Sequence, residues 1–196
     1  MATIINADTS DGLKFTSDTS GEINLQSGGA TIATIDSSGL TMASGKSVTS
    51  DGLGKILQVV QDTKTDTFST TSTSFVEVTG LSVSITPSST SSKILLISTF
   101  MGGTLDSDTA YIAYTLYRDA TNLGDSTYGF VSSRTNLDGF SLPPFGISYL
   151  DSPSTTSAIT YKMYMKSSGG ETAFVNRTDY SSGSSVATLI ALEVGA

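Results

Sequence analysis

Between residues 55 and 196, apolar side chains recur at every second position in several runs, the period of a half-buried strand. In Ser74–Thr86, Leu81, Val83 and Ile85 alternate with Ser82 and Ser84. In Ile159–Lys166, Ile159, Tyr161, Met163 and Met165 alternate with Thr160, Lys162, Tyr164 and Lys166. Tyr111–Arg118 sets Ile112, Tyr114 and Leu116 on one face, while Lys55–Gln61 opens the region and Val186–Val194 closes it. Lys93–Phe100 (KILLISTF) is different, because it is apolar on both faces, as a central strand is. Turn residues stand between the runs, at Pro87-Ser88, Asp125-Ser126, Pro143-Pro144, Asp151-Ser152-Pro153 and Gly169-Gly170. No helix-period segment interrupts them. Seven or eight antiparallel strands at this spacing predict a jelly-roll-like β-sandwich head over residues 55–196.

Residues 1–54 carry a weaker pattern of short apolar pairs: Ile4 and Ile5, Leu13 and Phe15, Ile23 and Leu25, Ile32 and Ile35, Leu40 and Met42. Turns at Asp11-Gly12, Ser20-Gly21, Gly28-Gly29, Ser38-Gly39 and Ser44-Gly45 divide them, as between successive short strands. One phrase comes three times, as TSDGLKFTS (9–17), DSSGLTMAS (36–44) and TSDGLGKIL (49–57). So few apolar side chains, at roughly 25 cal/mol per Å² buried, cannot offset an ordering cost of about 1–2 kcal/mol per residue in a lone chain. The expectation is a stem that buries its stripe against identical chains, as repeat arrays bury theirs against neighbours. The whole is then all-β: a short stem over 1–54 shared with identical chains, and a sandwich head over 55–196.

Composition narrows the chemistry. The chain of 196 residues has 34 Ser and 30 Thr, no Cys, no His and no Trp. Disulfides, thiolate nucleophiles and Cys-ligated metals are excluded, and so are the commonest metal ligand and the commonest general base near neutral pH. Only 14% of residues are charged and the formal net charge is −8, which repels nucleic acid and anionic lipid. No stretch is apolar enough to span a bilayer as a helix. The opening MATIINADTSDG lacks the basic and apolar regions of a secretory signal, so synthesis and assembly in a cytoplasm are expected. Abundant Ser and Thr fit the outward half of strands, where Thr is favoured.

A family resemblance rests on specific stretches. The opening MATIINADTSDGLKFTSDTSGEINLQSGGATIATIDSSGLTMASGK resembles the N-terminus of many tail-fibre-like virion proteins of tailed bacteriophages, especially phages of aquatic bacteria and cyanobacteria. KILQVVQDTKTDTFSTTSTSFVEVTGLSVSITPSSTSSKILL, YLDSPSTTSAITYKMYMKSSGG and ATLIALEVGA resemble the β-rich distal domain that follows such N-termini. Residues 104–141 match only loosely. The resemblance implies a homotrimeric structural virion protein with an intertwined β-stem and a sandwich head, assembled in the host cytoplasm and joined to other phage virion proteins through its N-terminus. It implies a short tail fibre whose knob attaches to a glycan or protein on the host cell; a capsid or neck decoration with a cementing or display role is the alternative. Ile4, Ile5, Leu13, Phe15, Ile23, Leu25, Ile32, Ile35, Leu40 and Met42 are the expected anchoring and stem residues.

No catalytic constellation stands out, and neither enzyme activity nor a cofactor is expected. Asp106 and Asp108 in TLDSDTA could in principle work as an acid–base pair or hold Ca²⁺, but two acids in a turn are ordinarily turn formers. Asn176-Arg177-Thr178 matches a glycosylation acceptor, which without a secretory signal is read as coincidence. The expected recognition surface is the aromatic-rich stretch 127–150. There Tyr128, Phe130, Phe140, Phe145 and Tyr149, with Arg134, Asn136 and Asp138, offer planes for sugar rings and polar groups for their hydroxyls. The competing reading is that these aromatics fill the core or the trimer axis, since large aromatics are seldom fully exposed.

Overall fold

The computed structural model describes residues 21–46, 55–104, 110–133, 143–177 and 184–195. Among them there are strands and turns and no helix. Every strand pairing is antiparallel. The chain divides into two compact units, Met1–Leu53 and Gly54–Ala196.

The described part of the first unit is a three-stranded meander of β1 (Ile23–Ser27), β2 (Ala30–Asp36) and β3 (Gly39–Met42). Gly28 and Gly29 form the β1–β2 turn with φ of 59° and 80°, the conformation that matches the twist of a two-residue hairpin and that glycine adopts without strain. Asp36 accepts the Ser38 backbone N–H at 2.7 Å and closes the next turn. The register puts Ile23, Ile35 and Leu40 in one row across the sheet and Leu25, Ala33 and Met42 in the next, all on one face. Ile32 falls on the other face with Asn24 and Thr34, because it is three residues from Ile35 and strands have a period of two. Among the described residues of this unit only Ala33 is buried, while Leu25, Ile35 and Leu40 are 45%, 40% and 57% exposed. Ile4, Ile5, Leu13 and Phe15 lie outside the described residues.

The second unit has two sheets. Its strands are β4 (Lys55–Lys64), β5 (Phe68–Thr70), β6 (Val76–Ile85), β7 (Lys93–Thr104), β8 (Ile112–Arg118), β9 (Thr121–Asn122), β10 (Val131–Ser133), β11 (Pro144–Asp151), β12 (Ile159–Ser167), β13 (Ala173–Val175) and β14 (Ala187–Gly195). One sheet runs β10-β8-β12-β6, with β9 paired to β8; the other runs β4-β14-β7-β13-β5, with β11 also on β7. Four of these pairs are nested in sequence: β8 with β10, β7 with β11, β6 with β12 and β4 with β14. The chain thus turns back on itself as one long hairpin whose arms alternate between the sheets.

The core lies where the inner faces meet. Leu81, Val83, Ile85, Ile112, Tyr114, Leu116, Tyr161, Met163 and Met165 from one sheet pack with Ile94, Leu96, Phe100, Ile147 and Leu189 from the other. In β6 a register shift opposite Met163 changes the phase of the strand, so that Val78 and Leu81 both face inward. Between the sheets, Asp151 on β11 accepts both hydrogen bonds of Arg118 Nη1 at 2.8 and 2.9 Å and that of the Tyr161 hydroxyl at 2.6 Å.

The two outer faces differ. On the five-stranded sheet the outer face carries Glu77, Lys162, Lys166, Ser84 and Thr160, with a Lys162–Glu77 ion pair at 2.7 Å. On the other, the register lines up Val59, Leu192, Leu95 and Leu150 across β4, β14, β7 and β11. The next row is Gln61, Ile190, Ile97 and Ser148, and the one after it Thr63, Thr188, Thr99 and Gly146.

Candidate functional site

The stretch 122–130 is a short loop built tightly against β8. Asn122 accepts the Thr115 hydroxyl at 2.6 Å and the Gly124 N–H at 3.0 Å. Asp125 accepts the N–H groups of Tyr128 at 2.7 Å and Thr127 at 2.8 Å, and these bonds hold its carboxyl below the usual carboxylate range. The loop closes on reciprocal backbone bonds between Asp125 and Gly129, and Phe130 donates to the Tyr114 carbonyl. Gly129 has φ of 65°, and a Cβ there would run into that same carbonyl oxygen, so no other residue fits. Thr115 beneath the loop is fully buried for this reason.

What the loop presents is Tyr128, 55% exposed, with its ring 5.1 Å from that of Tyr111. Phe130 turns the other way, 5.0 Å from Tyr149. Phe145 meets Phe100 at 5.7 Å and Tyr114 at 5.6 Å. Phe130, Phe145 and Tyr149 are half-buried and packed against the core. The expected recognition stretch is in part strand: Phe145 and Tyr149 are inward positions of β11, alternating with the exposed Gly146, Ser148 and Leu150. Among the described strands β11 pairs only with β7, so Pro144, its first residue, needs no ladder partner on the other side. Of the eight residues expected to recognise a partner, Tyr128 is the one the described structure leaves open. Arg134, Asn136, Asp138 and Phe140 lie outside the described residues, as do Asp106 and Asp108.

The outer face of the five-stranded sheet extends this aromatic surface. Tyr117 and Tyr164 stack with centroids 3.9 Å apart and planes at 22°. They are diagonal neighbours across β8 and β12, since Lys162 faces Tyr117 and Tyr164 faces Thr115. Burial and then the neighbouring Tyr164 push the Tyr117 phenol up from its ordinary value. The hydrogen bond to Glu77 raises Lys162, keeping a firm positive charge beside the rings. Lys166 Nζ lies 4.7 Å from the centre of the Phe75 ring and acts electrostatically on Asp125. Lys162, Tyr164 and Lys166 are therefore a single stripe along β12, flanked by Tyr117, Phe75 and the Tyr111–Tyr128 pair.

No family model matches the chain, and no curated protein does. The site's chemistry is that of its side chains: flat aromatic planes, two cations held over or beside them, and serine and threonine hydroxyls at the edge. Such a surface can stack against the apolar faces of pyranose rings and bond their hydroxyls. The outward set Thr160, Lys162, Tyr164 and Lys166 was readable from alternation alone. Its partner Tyr117 was not, because strand pairing decides which β8 residue stands beside it. Asn176, in the glycosylation-like triplet, is fully buried with its amide donating to the Lys64 carbonyl at 2.8 Å, so the side chain is taken up inside the fold.

Proposed function

We propose that this chain is a structural virion protein of a tailed phage, a short trimeric tail fibre whose second unit attaches to the host cell surface. The observation that carries the reading is the first unit's sheet, which gathers nearly all its apolar residues on one face and leaves Leu25, Ile35 and Leu40 exposed there. Three such faces wrapped about a common axis supply the burial that one chain lacks. The nested pairing of eight strands into two facing sheets supports a jelly-roll reading of the second unit. The rigid loop bearing Tyr128 and the stripe of Tyr117, Tyr164, Lys162 and Lys166 support recognition of a surface glycan.

The test uses labelled full-length chain and cells sensitive to the phage that encodes it. Attachment is expected, and the Tyr128→Ala/Tyr164→Ala variant should bind about tenfold more weakly, the loss of one or two aromatic contacts. A folded oligomer that ignores the cells would turn the reading to capsid or neck decoration. Undiminished binding by the variant would remove the glycan surface from these residues.

A further inference from the structure

We propose that the outer face of β4, β14, β7 and β11 is the surface by which the second unit joins further copies of this chain. Strand β7 is apolar on both sides, and only one side is used by the core. On the other side, Leu95 and Ile97 sit in the rows that run from Val59 to Leu150 and from Gln61 to Ser148. Val59 is 56% exposed and Leu150 50%, and nothing among the described residues of this unit covers them. Four apolar side chains abreast on a sheet are not the scattered surface residues of an ordinary monomer.

Charge and size indicate the occupant. The chain carries a formal net charge of −8, yet the rows across this face contain Gln, Thr, Ser and Gly besides their apolar residues. The nearest cation is Lys93, at the rim, donating to the Ser152 hydroxyl at 2.8 Å. A charged partner finds nothing to select it here. A second copy finds a neutral face on an otherwise acidic molecule, which lets like-charged chains approach without repulsion. Four strands about 4.8 Å apart and three rows two residues apart give a footprint of roughly 19 by 20 Å. That is about half of the roughly 800 Å² each partner contributes to a standard interface, so the contact it makes between copies is a small one. The opposite sheet, with its ion pair and lysines, has the charged character of a solvated face.

The identity of the occupant rests on the oligomer reading above, so the test separates the two. The chain has no cysteine, which makes single thiols clean probes. Leu150→Cys, Val59→Cys and, on the other sheet, Ser84→Cys are made in the full-length chain, checked by circular dichroism, sized by sedimentation velocity and reacted with a disulfide reagent. An oligomer is expected in which both face thiols react at least about tenfold more slowly than the Ser84→Cys thiol. Oligomers with equal rates at all three positions would overturn the face and leave the stem as the source of assembly. A monomer with equal rates overturns both readings. A monomer with protected face thiols means another part of the same chain covers the face, which overturns the second copy. Protection in a dimer upholds the face and overturns the trimer.

Discussion

Glu193 sits on the core side of β14 with no exposed surface, an unusual station for a carboxylate. Desolvation alone would raise its pKa. Against that, it accepts hydrogen bonds from Gln58 Nε2 at 2.6 Å and from the Ser88 N–H and hydroxyl, each at 2.7 Å, and the balance falls to about 2. Its folded pKa is therefore below the ordinary 4.5, and its contribution to stability is complete above about pH 4.5. That contribution is lost as pH falls through the interval from 4.5 to about 2. Glu193→Gln puts an amide among three donors, so it should lower the urea midpoint at pH 7. The difference from the parent chain should shrink toward pH 2, as read from urea titrations at several pH values. A difference independent of pH would mean the carboxylate charge is not what those donors hold. At this scale the sequence was legible where neighbours alternate, as in Leu81, Val83 and Ile85, all buried. It was not legible at Glu193, whose polarity in VATLIALEV gives no sign that Gln58 and Ser88, more than a hundred positions earlier, would receive it.

Among the strands, Asp151 has a clear structural role. It ends β11 in one sheet and holds Arg118 at the end of β8 and Tyr161 on β12 in the other. The side chain of Asp151 is 6% exposed and that of Arg118 27%, so removing the acid strands a partly desolvated guanidinium and a buried phenol. Asp151→Asn should cost about 3 kcal/mol in urea unfolding, the low end for breaking a buried pair because Arg118 reaches water. A loss indistinguishable from a surface substitution would show that the sheets are held by apolar packing alone. Strands such as β8 and β12 were visible in the sequence because both of their faces show a regular period. β11 was hidden by Pro144 and Gly146, residues that discourage a strand reading yet suit one with a free edge. With it were hidden the inward stations of Phe145 and Tyr149.

For the molecule as a whole, the division at Leu53 and Gly54 separates a unit with an ample core from one without. A 55–196 fragment is expected to melt cooperatively with a β-type circular dichroism spectrum. A 1–54 peptide at micromolar concentration should show no such transition, because its described strands bury only Ala33. A cooperative melt from the peptide would count against the shared stem. All-β class and the apolar doubling of β7 were both legible in advance. The pairing order was not, since alternation says which way a side chain faces and nothing about which strand lies beside it.

That pairing order governs how the second unit is made. Lys55 faces Gly195 across the outermost pair, 140 positions apart, whereas β8 and β10 meet through a short connection. Loops close more readily the shorter they are, and contacts of long separation slow folding. The natural course is a zipper that starts in the middle and ends at both extremities together. A ribosome delivers the chain from one end, so β4, β6 and β7 wait as unmatched edges until their later partners emerge. During that interval the apolar rows of β7 are open on both sides at once. A nascent chain in that condition is exposed to the equally unmatched edges of its neighbours, and the hazard passes only when β14 emerges to close the sheet.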